Sequence, residues 1–161
     1  MTPRLYTICI RSARASDLEV VESLLTASQL PLAGVRDAFD DFFVAEADQP
    51  GVHALRIVGA IGLERFGSKA LLRSAVVADD WRGRGGGRIL VDELLDHARA
   101  IGVDELYLLT TTAERFFAQR GFMRIDRADV PASVRRSVEF TRACPDTAVA
   151  MARSLVQKPT R

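Results

Sequence analysis

Apolar and polar positions along the chain change period repeatedly, and each change marks an element. Thr7-Ile8-Cys9-Ile10-Arg11 reads as a short strand. From Ser16 the spacing turns helical, with Leu18, Val21, Leu24 and Leu25 on one face through Ala27. Ser16-Asp17-Leu18-Glu19 forms a capping box at its start: the serine hydroxyl accepts from the third helical N–H while Glu19 reaches back. A short amphipathic piece at 35–39 leads into a strand over 42–46, closed by the turn residues Asp48-Gln49-Pro50-Gly51. Residues 55–63 are apolar and broken by Gly59 and Gly62, which suits a central strand approached closely by neighbouring backbone. Phe66-Gly67-Ser68-Lys69 turns into a returning strand over 70–78, so a hairpin is predicted. A long helix carries Leu90, Val91, Leu94, Leu95, Ala98 and Ile101 at helical spacing and stops at Gly102. Then follow a strand over 105–111, a helix over 113–120, a strand over 122–127, a helical turn from Pro131 and a last strand over 147–155. Residues 157–161 are expected to fray. The order is mixed α/β, antiparallel hairpins beside one strand–helix–strand crossover.

Composition narrows the class. At 161 residues a single domain over 1–161 is expected, long enough to bury about 70% of its unfolded surface. The 48% apolar and 27% charged shares are those of a globular chain. Twenty-two basic residues against 21 acidic ones argue against nucleic acid as a partner. Cys9 and Cys144 are too few for a disulfide framework, and His53 and His97 too few for a structural zinc site, so no metal is expected. No apolar run reaches membrane length, and Met1–Tyr6 lacks a signal-peptide core. A reduced, cytoplasmic protein with no membrane partner is the expected class.

The segment Arg82-Gly83-Arg84-Gly85-Gly86-Gly87-Arg88 carries the most chemistry. Glycines between a strand and a helix leave main-chain N–H groups bare, so the first helical turn can hold phosphate oxygens. Arg82, Arg84 and Arg88 add charge that suits a pyrophosphate. The plainer alternative is a flexible loop opening an ordinary helix. A Walker A loop is excluded because no lysine follows these glycines. A dinucleotide fingerprint fails too: counted from Gly83 its last glycine falls on Arg88, counted from Gly85 on Leu90, and Asp104 precedes its strand.

The spacing Arg82-x-x-Gly85-x-Gly87 resembles the coenzyme A signature of the GNAT N-acetyltransferases. Ser74 to Gly85 is similar to that family's strand and turn, and Ala113 to Phe122 to its helix-to-strand step. The order of elements is similar from residue 5 to residue 155. Gly62–Gly67, Leu106–Phe117 and Asp126–Pro131 resemble the branch found with arsenic-resistance genes, whose neighbours acetylate phosphinothricin-like or arsenic-containing amino acids. The resemblance implies a mixed, mostly antiparallel, splayed sheet with helices on both faces. It implies acetyl-CoA as cosubstrate and direct attack of a small amine on the thioester. It further implies that the Val77 main chain holds the pantetheine arm and that the amides of Gly83, Arg84, Gly85, Gly86, Gly87 and Arg88 hold the pyrophosphate. The Ala75 or Val76 amide would polarise the thioester carbonyl, and Arg82 and Phe116 belong to the same coenzyme-binding motifs.

Strand geometry supplies a candidate base. With the turn centred on Gly67-Ser68, Glu64 lies opposite Leu71, and Leu71, Arg73 and Ala75 share one face against Leu72, Ser74 and Val76 on the other. Glu64 and Arg73 then point the same way, a carboxylate to take the ammonium proton and a guanidinium to bind a substrate anion. A surface salt bridge is the competing reading, and a one-residue shift of register would turn Glu64 away. The family's usual tyrosine is Phe117 here, which has no proton to give. Tyr6 and Tyr107 are the chain's phenols, Tyr107 reads as a strand packing residue, and the hydroxyls of Thr110, Thr111 and Thr112 read as capping groups, so no general acid is assigned. His97 is expected to be solvated, His53 in a turn and Cys9 in the core. Cys144 is a thiol near the site or a buried free cysteine; Arg135, Arg136 and Arg142 extend an anion pocket or form a solvated face. The expected activity is acetylation of a small amine by a monomer or homodimer. A non-catalytic coenzyme-binding module and a protein or ribosomal acetyltransferase are the alternatives.

Overall fold

The computed structural model describes residues 6–48, 51 and 54–156. The predicted turn at Gln49-Pro50, His53 and the predicted frayed tail lie outside the described residues. The strands are β1 (Ile8–Ser12), β2 (Phe42–Ala47), β3 (Arg56–Phe66), β4 (Lys69–Val77), β5 (Glu105–Thr110), β6 (Met123–Ile125) and β7 (Val149–Ser154). The helices are α1 (Leu18–Ala27), α2 (Val35–Ala38), α3 (Gly86–Ala100), α4 (Glu114–Gln119) and α5 (Ala132–Arg135), with a π-helical turn at Glu139–Ala143. Each predicted element is present, with ends moved by one to three residues. The π turn falls in a stretch whose apolar spacing has no helical or strand period.

The seven strands are hydrogen-bonded in the order β1-β2-β3-β4-β5-β7-β6. Their pairing is antiparallel at β1–β2, β2–β3, β5–β7 and β6–β7, and parallel at β4–β5, where α3 makes the crossover. Asp104, at the start of β5, is tied to the foot of β4: its N–H donates to Ser68 O and its carboxylate pairs with Lys69 at 2.8 Å.

Two compact units are distinguishable, one of residues up to Gly62 with Ser74–Leu94, the other of Leu63–Arg73 and the residues from Leu95 onward. In the first, Val21 and Leu25 of α1 pack with Val35, Phe39, Phe42, Val44, Ala60 and Val76. The fully buried Val, Leu and Phe side chains among these contribute about 1.5–3 kcal/mol each. In the second, Leu71, Tyr107, Val130, Val134 and Ala150 form the core. Among the described residues no helix is long and apolar enough to cross a membrane.

Two local expectations are corrected. The predicted Ser16 capping box does not form. The chain enters α1 through a 3-10 turn at Ala15–Asp17, and Asp17 does the capping: its carboxylate accepts from Arg14 N at 2.7 Å and from both Arg11 Nη atoms at 2.8 and 3.0 Å. The 3-10 turn takes Ser16 into its interior and leaves Asp17, not Ser16, at the position before α1. Cys9, expected in the core, is exposed. β1 is the end strand of the sheet, and its alternation turns Ile8 and Ile10 inward, leaving Cys9 outward.

Gly59 and Gly62 are close-approach positions, as the sequence suggests. A Cβ at Gly62 would lie 2.2 Å from the ring of its cross-strand partner Phe42, which is fully buried. Gly62→Ala is expected to cost about 1–3 kcal/mol through overpacking, read as a lower melting temperature. The Arg11 guanidinium holds the Asp17 carboxyl below its usual 3.8. A depressed carboxylate stabilises the fold fully above that unfolded value, and the contribution fades as pH falls through the lower folded value. Asp17→Asn should therefore cost about 2 kcal/mol at neutral pH, with the gap to wild type closing in acid unfolding curves.

Candidate active site

The site residues from the hairpin depend on an irregularity in β4. At the tip, Phe66 and Lys69 flank the two-residue turn Gly67-Ser68. At the far end Ala78 N donates to Val58 O at 2.7 Å, one residue further along β4 than the tip register predicts. Along β3, Ala60, Glu64 and Phe66 share a face. Ala60 and Val76 belong to one apolar cluster, and Phe66 packs against the cluster that holds Leu71. Leu71 and Val76 are five apart yet on that one face, so alternation breaks between them. Ser74, at φ +58°, marks the place: a β-bulge absorbs the extra residue. Arg73, ahead of the bulge, keeps its predicted face beside Glu64. Ala75 does not; beyond the bulge Val76 takes the position that unbroken alternation assigns to Ala75. Pairing of β4 with β5 covers Lys69–Leu71 against Glu105–Tyr107, so residues 72–77 are not laddered to β5.

Arg73 is the centre of a polar cluster. Its side chain has 0% exposure, and its Nη2 lies 3.0 Å from Glu139 Oε1 while Nη1 lies 3.5 Å from Glu64 Oε1. Ser137 Oγ donates to the same Glu64 oxygen at 2.7 Å and accepts from Glu139 N at 3.2 Å. Glu139 Oε2 accepts from Cys144 Sγ at 2.7 Å. Glu64, 21% exposed at the side chain against 8% for Glu139, is the more solvent-facing of the two carboxyl groups. Two carboxyl groups face one guanidinium, so acid exceeds base. Burial, reinforced by the bond to Glu139, pushes the Cys144 thiol up to about 12, so it stays a thiol at neutral pH and offers no nucleophile.

Ser137 and Glu139 were not legible as site residues. They lie before and in the π turn, a helix type frequent at functional sites. The one local hint is a lone carboxylate between Val138 and Phe140. Arg127 steadies this segment by donating to Pro145 O at 2.9 Å and Ala148 O at 3.3 Å, with its guanidinium over the Phe140 ring. Arg135, Arg136 and Arg142 are exposed, on the solvated face.

The glycine-rich turn joins β4 to α3 as expected. Gly83 and Gly85 have φ of +75° and +85°, and a Cβ at either would project into open space. The first bond from α3 back to the loop is Ile89 N to Gly85 O at 3.2 Å, so the amides of Gly86, Gly87 and Arg88 precede any intrahelical acceptor. Arg82 folds back: Nε reaches Val77 O at 3.3 Å and Nη2 reaches Ser28 Oγ at 3.1 Å and Asp79 Oδ1 at 3.0 Å. Arg84 stacks over Trp81 and Tyr6, its Cζ 4.6 and 5.1 Å from their ring centroids. Arg88 is exposed. Arg82 and Arg84 are therefore braced by their own chain.

The remaining candidates have packing roles. Phe117 is buried between Phe116 and Phe122, edge-on to both at 5.1 and 5.7 Å, and Phe116 is half-buried. Tyr107 is a core residue whose hydroxyl donates to Glu105; burial, then that bond, raises its pKa. Thr110 Oγ1 accepts from Ala113 N at 2.9 Å ahead of α4. His97 is half-buried on α3, not fully solvated. Among the described residues no group of three or more His, Cys, Asp or Glu is placed to hold a metal ion.

Comparison with known proteins agrees with this geometry. A family model described as "Acetyltransferase (GNAT) domain" matches residues 38–124, more than half of the chain. An amino-acid acetyltransferase of Mycobacterium tuberculosis is 30% identical over 139 residues, covering 82% of this chain and 78% of that protein. Another, from Pasteurella multocida, is 29% identical over 97 residues, 59% of this chain, which spans only 21% of that protein's length. The crystal structure of a Mycobacterium tuberculosis protein in complex with CoA superposes with a TM-score of 0.75 at 26% identity, over 92% of this chain and 99% of that one. With the glycine-rich turn, the bulged β4 and the strand order in hand, the chain belongs to the GNAT family of acetyltransferases.

Proposed function

We propose that this protein transfers the acetyl group of acetyl-CoA to the amine of a small, amino-acid-like molecule, with Glu64 as the proton acceptor. The observation that carries the reading is the Arg73 cluster, where two carboxyl groups face one guanidinium and Glu64 is the more exposed of the two. An amine arrives at neutral pH as an ammonium, and a partly exposed carboxylate whose neighbouring guanidinium is matched by a second carboxylate attracts that cation. The relatives named as amino-acid acetyltransferases support the acceptor class. Resemblance of Gly62–Gly67, Leu106–Phe117 and Asp126–Pro131 to the arsenic-associated branch extends it to phosphinate- or arsonate-bearing amino acids.

The turn fits a coenzyme pyrophosphate. Its glycines leave room where side chains would stand, and the amides of Gly86, Gly87 and Arg88, without intrahelical acceptors, lie at the positive end of α3. Residues 75–77 follow the bulge, with Val77 assigned to the pantetheine arm and the Ala75 or Val76 amide to the thioester oxygen. Arg82 orders the loop around Val77, and Phe116 is assigned to the same cosubstrate. Bound acetyl-CoA supplies the activated acetyl group. Glu64 removes one ammonium proton, directly or through water, freeing the nitrogen lone pair to form the new C–N bond as C–S breaks. The nitrogen's next proton balances the departing thiolate, and with phenylalanine at position 117 no side chain is assigned to carry it. Arg73 serves as counter-ion to Glu64 and not as receptor for a substrate anion, because it is fully buried between two carboxylates of its own chain.

Acetyl-CoA at about 100 times its Kd should stabilise the fold by about 2.7 kcal/mol, seen as a raised melting temperature. Gly85→Val, which forces a β-branched residue to a positive φ, should abolish most of that shift. No shift with wild type would remove the coenzyme reading. Glu64→Gln should lower kcat/KM by about 100- to 10,000-fold in a thiol-release assay, with the coenzyme-induced melting shift retained. The assay runs over amino acids with and without phosphinate or arsonate groups. Full activity in this variant would eliminate Glu64 as the base.

A further inference from the structure

The partners of Glu64 all lie on one of its two oxygens. Oε1 accepts from Ser137 Oγ at 2.7 Å and stands 3.5 Å from Arg73 Nη1, and Oε2 has no partner among the described residues. The two contacts are unequal. The guanidinium stands farther off than in an ordinary N–H···O bond, whereas the serine contact has the usual length of a bond between a hydroxyl and an oxygen. Ser137 is 3% exposed, and it is fixed through main chain and side chain alike. Its N–H donates to Val134 O at 3.0 Å, and its carbonyl accepts from Phe140 N at 3.0 Å and Thr141 N at 3.1 Å. Its Oγ accepts from Glu139 N at 3.2 Å. We infer that Ser137 is a positioning residue for the acyl transfer: its hydroxyl pins Glu64 through Oε1 and so presents Oε2 to the ammonium of the acceptor.

A serine hydroxyl has a single proton to give. The Glu139 N–H approaches the Ser137 oxygen as a donor, so the O–H turns to the acceptor within reach, which is Glu64 Oε1. The bond therefore runs in one sense, from serine to glutamate. A glutamate side chain rotates about several bonds, and one held only by a long contact samples many of their staggered positions. Proton transfer needs the accepting oxygen within hydrogen-bond reach of the ammonium, and a misplacement of about 1 Å costs about 100-fold in rate. With Oε1 occupied and the side chain 21% exposed, Oε2 is the oxygen left to meet a substrate. In the transfer the ammonium N–H bond breaks as an O–H bond forms at Oε2. The nitrogen keeps the electron pair that attacks the thioester, and the Ser137 proton stays on its own oxygen.

The role of Ser137 rests on Glu64 as the proton acceptor proposed above, and a double-mutant cycle keeps the two readings apart. Turnover and acceptor KM are measured for wild type, Ser137→Ala, Ser137→Cys, Glu64→Gln and the Ser137→Ala/Glu64→Gln pair, at enzyme concentrations high enough to read residual rates. Each variant is checked for fold by melting temperature and for coenzyme binding by the acetyl-CoA-induced melting shift. Ser137→Ala should lower kcat about 10- to 100-fold, with acceptor KM within about threefold of wild type and the coenzyme shift retained. Ser137→Cys fills the same space with a weak donor and should be nearly as slow. In the Glu64→Gln background, Ser137→Ala should cost less than about twofold more, because no carboxylate is left to present. Wild-type kcat in Ser137→Ala, with Glu64→Gln still slow, overturns the role of Ser137 and spares Glu64 as base. Wild-type kcat in Ser137→Cys does the same, since Ser137 would then only fill space. A full loss repeated in the Glu64→Gln background also overturns it, since Ser137 would then act without Glu64. A fully active Glu64→Gln overturns both readings. Should Ser137→Ala not fold, Ser137→Cys takes its place in the cycle: a loss confined to the chain that keeps Glu64 supports the role, and an equal loss in both backgrounds rejects it.

Discussion

A guanidinium removed from water loses hydration worth several kcal/mol, and only anions of its own chain can make up that loss. Arg73 is in that position, and much of the second compact unit is arranged to answer it. Glu64 comes from the preceding strand of the hairpin. Glu139 comes from a π-helical turn more than sixty residues later in the chain, reached after β5, α4 and β6. The long-range contact makes the hairpin and the late loop one electrostatic object. It also explains why that loop is fastened so firmly, with Arg127 bonded to two of its carbonyls and stacked on Phe140.

The bulge at Ser74 is the backbone counterpart of that constraint. A regular strand would carry Arg73 and Ala75 on the same face. The extra residue lets the chain place Arg73 with Glu64 and then return Val76 to the apolar core beside Ala60. A charged position and a hydrophobic one thus occupy the same face of one strand at a spacing of three. The ladder to β5 has already ended at Leu71–Tyr107, ahead of the bulge.

The glycine-rich turn works by a different economy. Its amides are bare because helical geometry offers the first turn no acceptors, and its left-handed glycines keep side chains out of the way. Arg82 and Arg84, which a charge count treats as ligands in waiting, are instead held by Val77, Ser28, Asp79, Trp81 and Tyr6. Their first role is to hold the loop in shape. Preorganisation of this kind lowers the entropy lost on binding.

Local chemistry on a short stretch of chain was legible directly. The helical face of Leu90, Val91, Leu94, Leu95 and Ala98 and the hairpin turn at Gly67-Ser68 each depend on neighbours within about ten residues, and each stands as read. The pairing of Glu64 with Arg73 was also within reach, because a two-residue turn sets the register beside it. Register beyond Ser74 was not, since a bulge changes parity without any marker in residue type. Nor were the Arg11–Asp17 ion pair ahead of α1, the exposure of Cys9, or the pairing of Ser137 and Glu139 with the hairpin. Those outcomes depend on which distant groups come within 3 Å, and that is decided by chain topology and the need to match a buried charge. Residue order determined the family and the glycine-rich turn between β4 and α3; tertiary structure alone decided which acid shares Arg73, because electrostatic partnership depends on separation in space and not along the chain.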